Sequence, residues 1–389
     1  MAGLQPYKGA TTAQFYVEEV NPGVTPAGAV WKQLRNTGGF PALTRDALVS
    51  NELDGGRETS SIRTGNRQVA GEYAIELSQR SQDDLLAGAM TSEWVAGETV
   101  TGLSIDVSAS AKTFTRDTGS FITDGVEVGD LIYFPGLTGD NAKPFFATTV
   151  TALVVTGAGI AHTLTNETDV TTALTTADKL GTGNLCKTFS ILTWMKGRCG
   201  GADSWIVTRG VEFSGFSIEQ AVNAMVTGSF PFIGLNQEIM TSVPAGTFDD
   251  SFDAQPFASV DVTAFDGTAK LELIDTFTIT NDNGTSAQFA LGDASVAFVE
   301  RGRAANTFSL AGKLYDTVLL DKFLNETQVE LSSIMSGPSG AMSFTLKRAQ
   351  FTAATPEIGG PESITLSIEG QATGTPMQSS IVIQRIAYP

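Results

Sequence analysis

Glu72 and Glu76 stand on one side of the stretch Gln68–Met90, Q-V-A-G-E-Y-A-I-E-L-S-Q-R-S-Q-D-D-L-L-A-G-A-M. Paired carboxylates are the acid and base of glycoside hydrolysis, but that chemistry needs a cleft that holds the sugar between them. Here they alternate with Tyr73, Ile75 and Leu77, so both project from the polar face of one strand. They are read as solvent- or lumen-facing. No nucleophile has a credible base: the one histidine, His162, sits in a Thr-rich stretch and reads as a solvated side chain. Cys186 and Cys199 are expected as free, buried thiols, too few with one histidine to build a zinc site. Asp249, Asp250 and Asp253 lack the ligand pattern of an EF-hand and read as a solvated acidic linker. There is no Gly-x-Ser-x-Gly elbow, phosphate loop or dinucleotide fingerprint, and Gly197–Gly201 (G-R-C-G-G) reads as a hairpin tip. No catalytic residue, cofactor or metal is expected.

The elements around those residues are more informative. The strand at Glu72–Ser78 runs into a short helix with Ser81 as N-cap, Asp83 and Asp84 in the first turn, and Leu85, Leu86, Ala89 and Met90 as an apolar stripe. A loose copy recurs at Ser309–Asn325, with Ala311-Gly312 answering to Ala70-Gly71, and Asp321-Lys322-Phe323-Leu324 answering to Asp83-Asp84-Leu85-Leu86. Three strands follow each copy: Thr188–Leu192, Trp205–Gly215 and Thr227–Gly234, then Gln328–Ser332, Ser343–Thr352 and Ser363–Gly370. Pro41–Asn66 and Gly292–Asn306 are read as long loops at matching places in the two copies. Residues 101–185, rich in Thr, Ala and Gly, interrupt the first copy and read as an inserted small β-barrel, with strands at Thr113–Thr115, Leu131–Phe134, Thr148–Val155 and His162–Thr165. Pro244–Phe257 reads as a linker.

Bulk composition agrees with an all-β chain carrying short flanking helices. Only 17% of the 389 residues are charged, and there are 41 Gly and 23 Phe. The net charge of −18 disfavours binding to a phosphate backbone. No signal-peptide pattern opens the sequence and no apolar run approaches bilayer length, so cytoplasmic folding without a membrane is expected.

Three stretches carry a resemblance. Ser50–Leu86, Tyr315–Leu331 and Phe351–Ala372 resemble the tail tube (major tail) proteins of long-tailed bacteriophages, and Phe114–Phe134 resembles a β-module of several virion proteins. The resemblance implies tandem tail-tube β-sandwich domains, 1–100 with 186–245 and then 246–389, with 101–185 inserted. It implies a structural virion subunit whose rings stack into a conduit for genome ejection, built in the host cytoplasm. Six tube domains per ring would make a trimer of a two-domain chain, with a hexamer as the alternative. Tape measure, terminator and tip proteins are the implied partners, and DNA passes without specific binding. On this reading Glu72, Glu76, Ser78, Thr365, Ser367 and Glu369 face the lumen. Arg45, Asp46, Glu52, Asp54, Arg57 and Glu58 belong to an arm between rings. The rival readings are a receptor- or carbohydrate-binding tail fibre or adhesin, a glycosidase, and a tail-tip hub or head-completion protein.

Overall fold

The computed structural model describes residues 6–52, 57–158, 163–197, 201–250, 254–375 and 377–387. His162, Cys199, Asp54 and Asp253 lie outside them. The chain opens with β1 (Thr12–Glu18), β2 (Ala29–Gln33), β3 (Ala42–Val49), β4 (Ile62–Glu76) and helix α1 (Asp83–Met90). Next come β5 (Thr99–Ser108), β6 (Thr113–Arg116), β7 (Leu131–Tyr133), β8 (Phe145–Val150), β9 (Val154–Ala158) and β10 (Glu167–Thr176), which close into a six-stranded barrel. After β11 (Asp178–Gly181) the first half resumes with β12 (Phe189–Met195), β13 (Ser204–Phe213), β14 (Gly215–Ala221), β15 (Thr227–Gly234), β16 (Asn236–Met240) and β17 (Gly246–Asp249). The remainder holds β18 (Val262–Asp266), β19 (Ala269–Lys270), β20 (Ile274–Asp282), β21 (Ser286–Phe289), β22 (Val296–Glu300), β23 (Ala305–Lys313), helix α2 (Val318–Leu324), β24 (Val329–Gly337), β25 (Gly340–Glu357), β26 (Thr365–Ala372) and β27 (Ile381–Ala387). The all-β class is therefore observed. Among the described residues no helix is long and apolar enough to cross a membrane.

One pairing scheme occurs twice. β4 pairs with β15 as β23 pairs with β26; β12 pairs with β13 as β24 pairs with β25. The hydrogen bond from Leu77 N–H to the Val226 carbonyl reappears as Leu314 N–H to Ile364. Even the irregularity is shared: β25 shifts register between Phe351 and Ala353, and the chain breaks between β13 and β14 at the matching Phe213–Gly215 step. This register equates Ala74 with Ala311 and Gly71 with Phe308, four residues away from the alignment that the Ala-Gly anchors imply.

The shifted alignment exposes a packing exchange. Gly71 lies opposite Phe232, and a Cβ on Gly71 would meet the Phe232 ring at 2.7 Å. In the other copy Phe308 lies opposite Gly370, whose Cβ would meet the Phe308 ring at 2.4 Å. Each site holds one ring and one glycine, with the strands swapped. We expect Gly71→Val to cost about 1–3 kcal/mol by overpacking. Gly71→Phe combined with Phe232→Gly, the arrangement of the other copy, should lose less than the sum of the two single losses, as read by thermal melts of the three variants.

Local chemistry explains the helices. α1 begins with Asp83 and Asp84 at its positive end and stops at Thr91, whose φ of 51° ends the helical run. Ser81 is not its cap: Gln82 holds that position, and the Ser81 hydroxyl bonds to Ser78 and Arg35 instead. Leu85, Leu86, Ala89 and Met90 are fully buried, each leucine contributing roughly 1.5–3 kcal/mol. α2 has the same place in its copy but no buried residue, and Val318 and Leu324 stay exposed.

A single hydrophobic core runs through both copies, from Tyr73, Ile75, Phe216 and Ile218 to Phe277, Ile279, Leu310 and Ile368. The barrel has its own core around Phe114, Phe134 and Phe145. It docks through Leu131, Tyr133 and Phe146 onto Phe265, Ile334, Ala341 and Ile386. The Gln384 amide locks that contact, accepting from Leu131 N–H at 2.9 Å and donating to the Gly129 carbonyl at 2.8 Å.

Several expectations change. Pro41–Asn66 is largely the β3–β4 hairpin rather than a loop, and the Gly292–Asn306 stretch contains β22, which pairs with β21. Thr148–Val155 is two strands with a turn between them, β5 and β10 were not foreseen, and Thr163–Thr165 is not a strand. Part of the Pro244–Phe257 linker is β17, which runs parallel to β2. Cys186 is free but exposed, because it lies in an unpaired connection rather than in a strand of the core.

Candidate tube wall and its edges

Eight strands join in the order β3–β4–β15–β14–β20–β23–β26–β25, each antiparallel to the next. The middle join, β14 to β20, links the two copies of the pairing scheme over seven residue pairs, from Gly215↔Asp282 to Ala221↔Thr276. Because side chains alternate, every second residue along these strands falls on one face. The inner face carries Tyr73, Ile75, Phe216, Ile218, Phe230, Phe277, Ile279, Leu310 and Ile368, all buried.

The other face is polar. One transverse row reads Glu76, Thr227, Glu219, Thr278, Ser309, Glu369 and Ala353, taken from seven strands in register. The next row reads Ala74, Ser229, Ser217, Thr280, Thr307 and Gln371. Glu72, Thr365 and Ser367 lie on this same face. Five of the six residues read from the sequence as lumen-facing are thus brought onto one surface. Ser78 is not: it is 1% exposed and bonded to Ser81 and Arg35, so it presents nothing to a channel. The chain has left the strand by then, and the period of two no longer applies.

Sequence reasoning missed β14, and with it Ser217 and Glu219. The signal was present: Phe216, Ile218 and Gln220 alternate with Ser217 and Glu219 directly after the strand that ends at Phe213. Among the described residues no group of three or more His, Cys, Asp or Glu is placed to hold a metal ion.

Among the described residues, β3 and the far end of β25 are open edges of this sheet. Every residue of β3 is exposed, and its one strand partner among the described residues is β4. The distal end of β25, Ala353–Glu357, pairs among the described residues with β26 alone. Open edges recruit other strands. Pro41 lies just before β3 and Pro356 lies in distal β25, and proline at an edge limits indiscriminate pairing.

The β14–β20 join is reinforced on both sides. Asn283 donates from its side-chain amide to the Ala89 carbonyl at 2.6 Å and from its backbone to Ser214 at 2.9 Å. Arg301 meets Glu212 at 2.6 Å. Burial pushes the Glu212 carboxyl above its usual range, and Arg301 works against that.

The residues read as an arm do not form one cluster. Arg45 and Asp46 lie in β3, where Arg45 opposes Arg67 and the register then slips past Asp46. Glu52, Arg57 and Glu58 are exposed in the connection to β4. The β21–β22 hairpin touches the base of this arm through Arg67, which donates its backbone N–H to the Ala294 carbonyl at 2.7 Å. Its guanidinium Nε donates to the Ser295 hydroxyl at 3.0 Å.

A comparison with curated proteins finds no match. A family model described as phage tail tube protein matches residues 9–372, nearly the whole chain. A long β-sheet with a polar face and two open edges is what a self-assembling wall requires, and with that match it shows that the chain belongs to the phage tail tube family of structural virion-tail proteins.

Proposed function

We propose that this chain forms closed rings by pairing distal β25 of one copy with the edge of β3 in the next, and that stacked rings make the conduit for the genome. The observation that carries this is the β14–β20 join, which serves as an internal template. β13 with β14 corresponds to β25, and β20 corresponds to the chain entering β3. The bridge Gly38↔Ala74 continues that match, since it parallels Thr276↔Ala311. Transferring the register sets Thr355 of one copy opposite Ala42 of the next, as Ser217 stands opposite Thr280.

On this reading the two copies of the pairing scheme are two tube domains, 1–100 with 186–245 and 246–389, with the barrel inserted between β4–α1 and β12. Three chains supply six domains, and heterologous contacts that close around an axis make the ring. The face bearing Glu72, Glu76, Glu219, Thr365, Ser367 and Glu369 lines the bore. The carboxylates there repel phosphate, and neither they nor the hydroxyls offer it counterion release. The β3–β4 and β21–β22 hairpins, with exposed Leu48, Val49, Ile62, Leu291 and Phe298, reach the adjoining ring.

The test is a cysteine pair. In a chain carrying Cys186→Ser and Cys199→Ser, Ala42→Cys with Thr355→Cys should cross-link under oxidation. The Ser217 and Thr280 hydroxyls at the template position are 3.2 Å apart, so the side chains there are adjacent. A ladder ending at three chains supports the trimer, and one ending at six supports the hexamer. Monomers alone, from assembled tubes, would sink the ring.

A further inference from the structure

The segment Gln5-Pro6-Tyr7-Lys8-Gly9 has a counterpart later in the chain, Gln255-Pro256-Phe257-Ala258-Ser259. Each is followed by the same local structure, a 3-10 turn and a strand: Gly9–Thr11 then β1, Ser259–Asp261 then β18. In the later copy Phe257 is 2% exposed. Its backbone bridges two strand ends, donating N–H to the Leu77 carbonyl at 2.8 Å and accepting from Val226 N–H at 2.9 Å. Pro256 and Ala258 complete the insertion as β-bridges to Ser78 and Met225.

The earlier copy has the same anchor but no such cover. Phe257 leans on Gly337 at the end of β24. Tyr7 stands by the matching β12–β13 hairpin, where its hydroxyl bonds to the Ala202 carbonyl at 3.2 Å. Yet Tyr7 is 47% exposed. The receiving site also exists a second time, and it is vacant. Leu314 and Ile364 match Leu77 and Val226 and share the same connecting hydrogen bond. Leu77 and Val226 are fully buried, whereas Leu314 and Ile364 are half-buried. The Leu314 carbonyl and the Ile364 N–H have no partner among the described residues.

We infer that Pro6–Gly9 of one copy inserts between Leu314 and Ile364 of the neighbouring copy in the ring, as Pro256–Ser259 inserts between Leu77 and Val226 within the chain. This rests on the ring reading above and adds a second, separate contact to it. The occupant is a copy of this chain because the inserted sequence, its anchor hairpin and its receptor are all repeated here. The orientation also agrees. The template joins the β14 side of one domain to the β20 side of the next. The neighbour that offers its β3 edge therefore offers its Tyr7 as well. Insertion satisfies an orphaned carbonyl and an orphaned N–H and buries the tyrosine ring.

Three cysteine pairs test this, again in the Cys186→Ser, Cys199→Ser chain. Met225→Cys with Ala258→Cys is the control and should close within one chain, since those residues already face each other. Lys8→Cys with Ser363→Cys occupies the matching positions and should link different chains in assembled tubes. Ala42→Cys with Thr355→Cys reports the ring itself. Links between chains at both of the last two pairs are the expected result. A link at Ala42–Thr355 without one at Lys8–Ser363, or a Lys8–Ser363 link closed within one chain, overturns the insertion and leaves the ring standing. Absence of both links overturns both. Independently, Tyr7→Asp should cost the monomer no more than its one exposed hydrogen bond to Ala202, a melting shift of about 1 °C or less, and lower tube yield about tenfold or more, the order expected for losing one buried aromatic contact. Unchanged yield would overturn the insertion.

Discussion

Replacing Glu72 and Glu76 by lysine should leave tubes that assemble normally and phage that fail to deliver DNA. Both side chains stand on the polar face of β4, with no hydrogen bond or ion pair to their carboxylates among the described residues. Surface changes at such positions usually move stability by less than about 0.5 kcal/mol. The electrostatic consequence is larger. On the proposed trimer every ring turns a band of carboxylates into a band of lysines, and the band repeats along the tube. Phosphates that were repelled now bind and release counterions. A site making about 6–10 such contacts changes affinity by roughly 10³–10⁵ between 50 and 200 mM salt. The expected readout is a fall of several orders of magnitude in plaque titre with normal tubes by electron microscopy. In vitro ejection should be partly restored by added salt, whereas Glu72→Gln with Glu76→Gln should stay near wild type. Normal titre from the double lysine variant would show that this face is not the bore.

The second large effect falls on stability. Arg385 of β27 pairs with Asp83 at the start of α1 and reaches Asp178 of β11 at 3.1 Å. Its guanidinium also lies 4.2 Å from the ring centre of Trp94, whose indole N–H donates to the Asp83 carbonyl at 3.1 Å. Burial, with Arg80 nearby, lowers the guanidinium to about 10, so it is charged at neutral pH. Arg385→Ala removes the cation and leaves Asp83 buried and uncompensated, which costs about 3–5 kcal/mol. With the usual unfolding entropy per residue, the melting temperature should fall by roughly 5 °C. Arg385→Met together with Asp83→Asn should lose less than Arg385→Ala alone, because no unpaired charge remains at that pair. A loss below about 1 kcal/mol for Arg385→Ala would mean that water reaches the site.

The same contact shows why the repeat is less obvious in sequence than in structure. α1 and α2 occupy matching places, but α1 is buried among β11, β13 and β14 and held by Arg385, whereas α2 packs on β25 through half-buried Leu319, Leu320 and Phe323. α2 carries Val318 and Leu324 in the open. Equivalent positions therefore meet different surroundings and carry different residues. The Phe–Gly exchange at Gly71/Phe232 and Phe308/Gly370 is a sharper case. A linear alignment penalises it twice, although the space filled is the same.

Local pattern was enough to establish much of this protein. Alternation placed Tyr73, Ile75 and Leu77 inside and Glu72 and Glu76 outside, because a strand's side-chain period is a property of the backbone alone. A Thr- and Gly-rich stretch with strands of its own was equally legible. What the chain does with its strand edges was not. Whether Pro41–Asn66 is a loop or a hairpin, whether Ser78 still belongs to the strand, and that β14 meets β20 all depend on hydrogen bonds between distant residues. Those partners are chosen by the packing of the whole core, which no local period encodes. Only the tertiary structure brings Glu76, Glu219 and Glu369 into one row, and only it reveals two edges and one strand-end site left open in a chain that closes each of them once within itself.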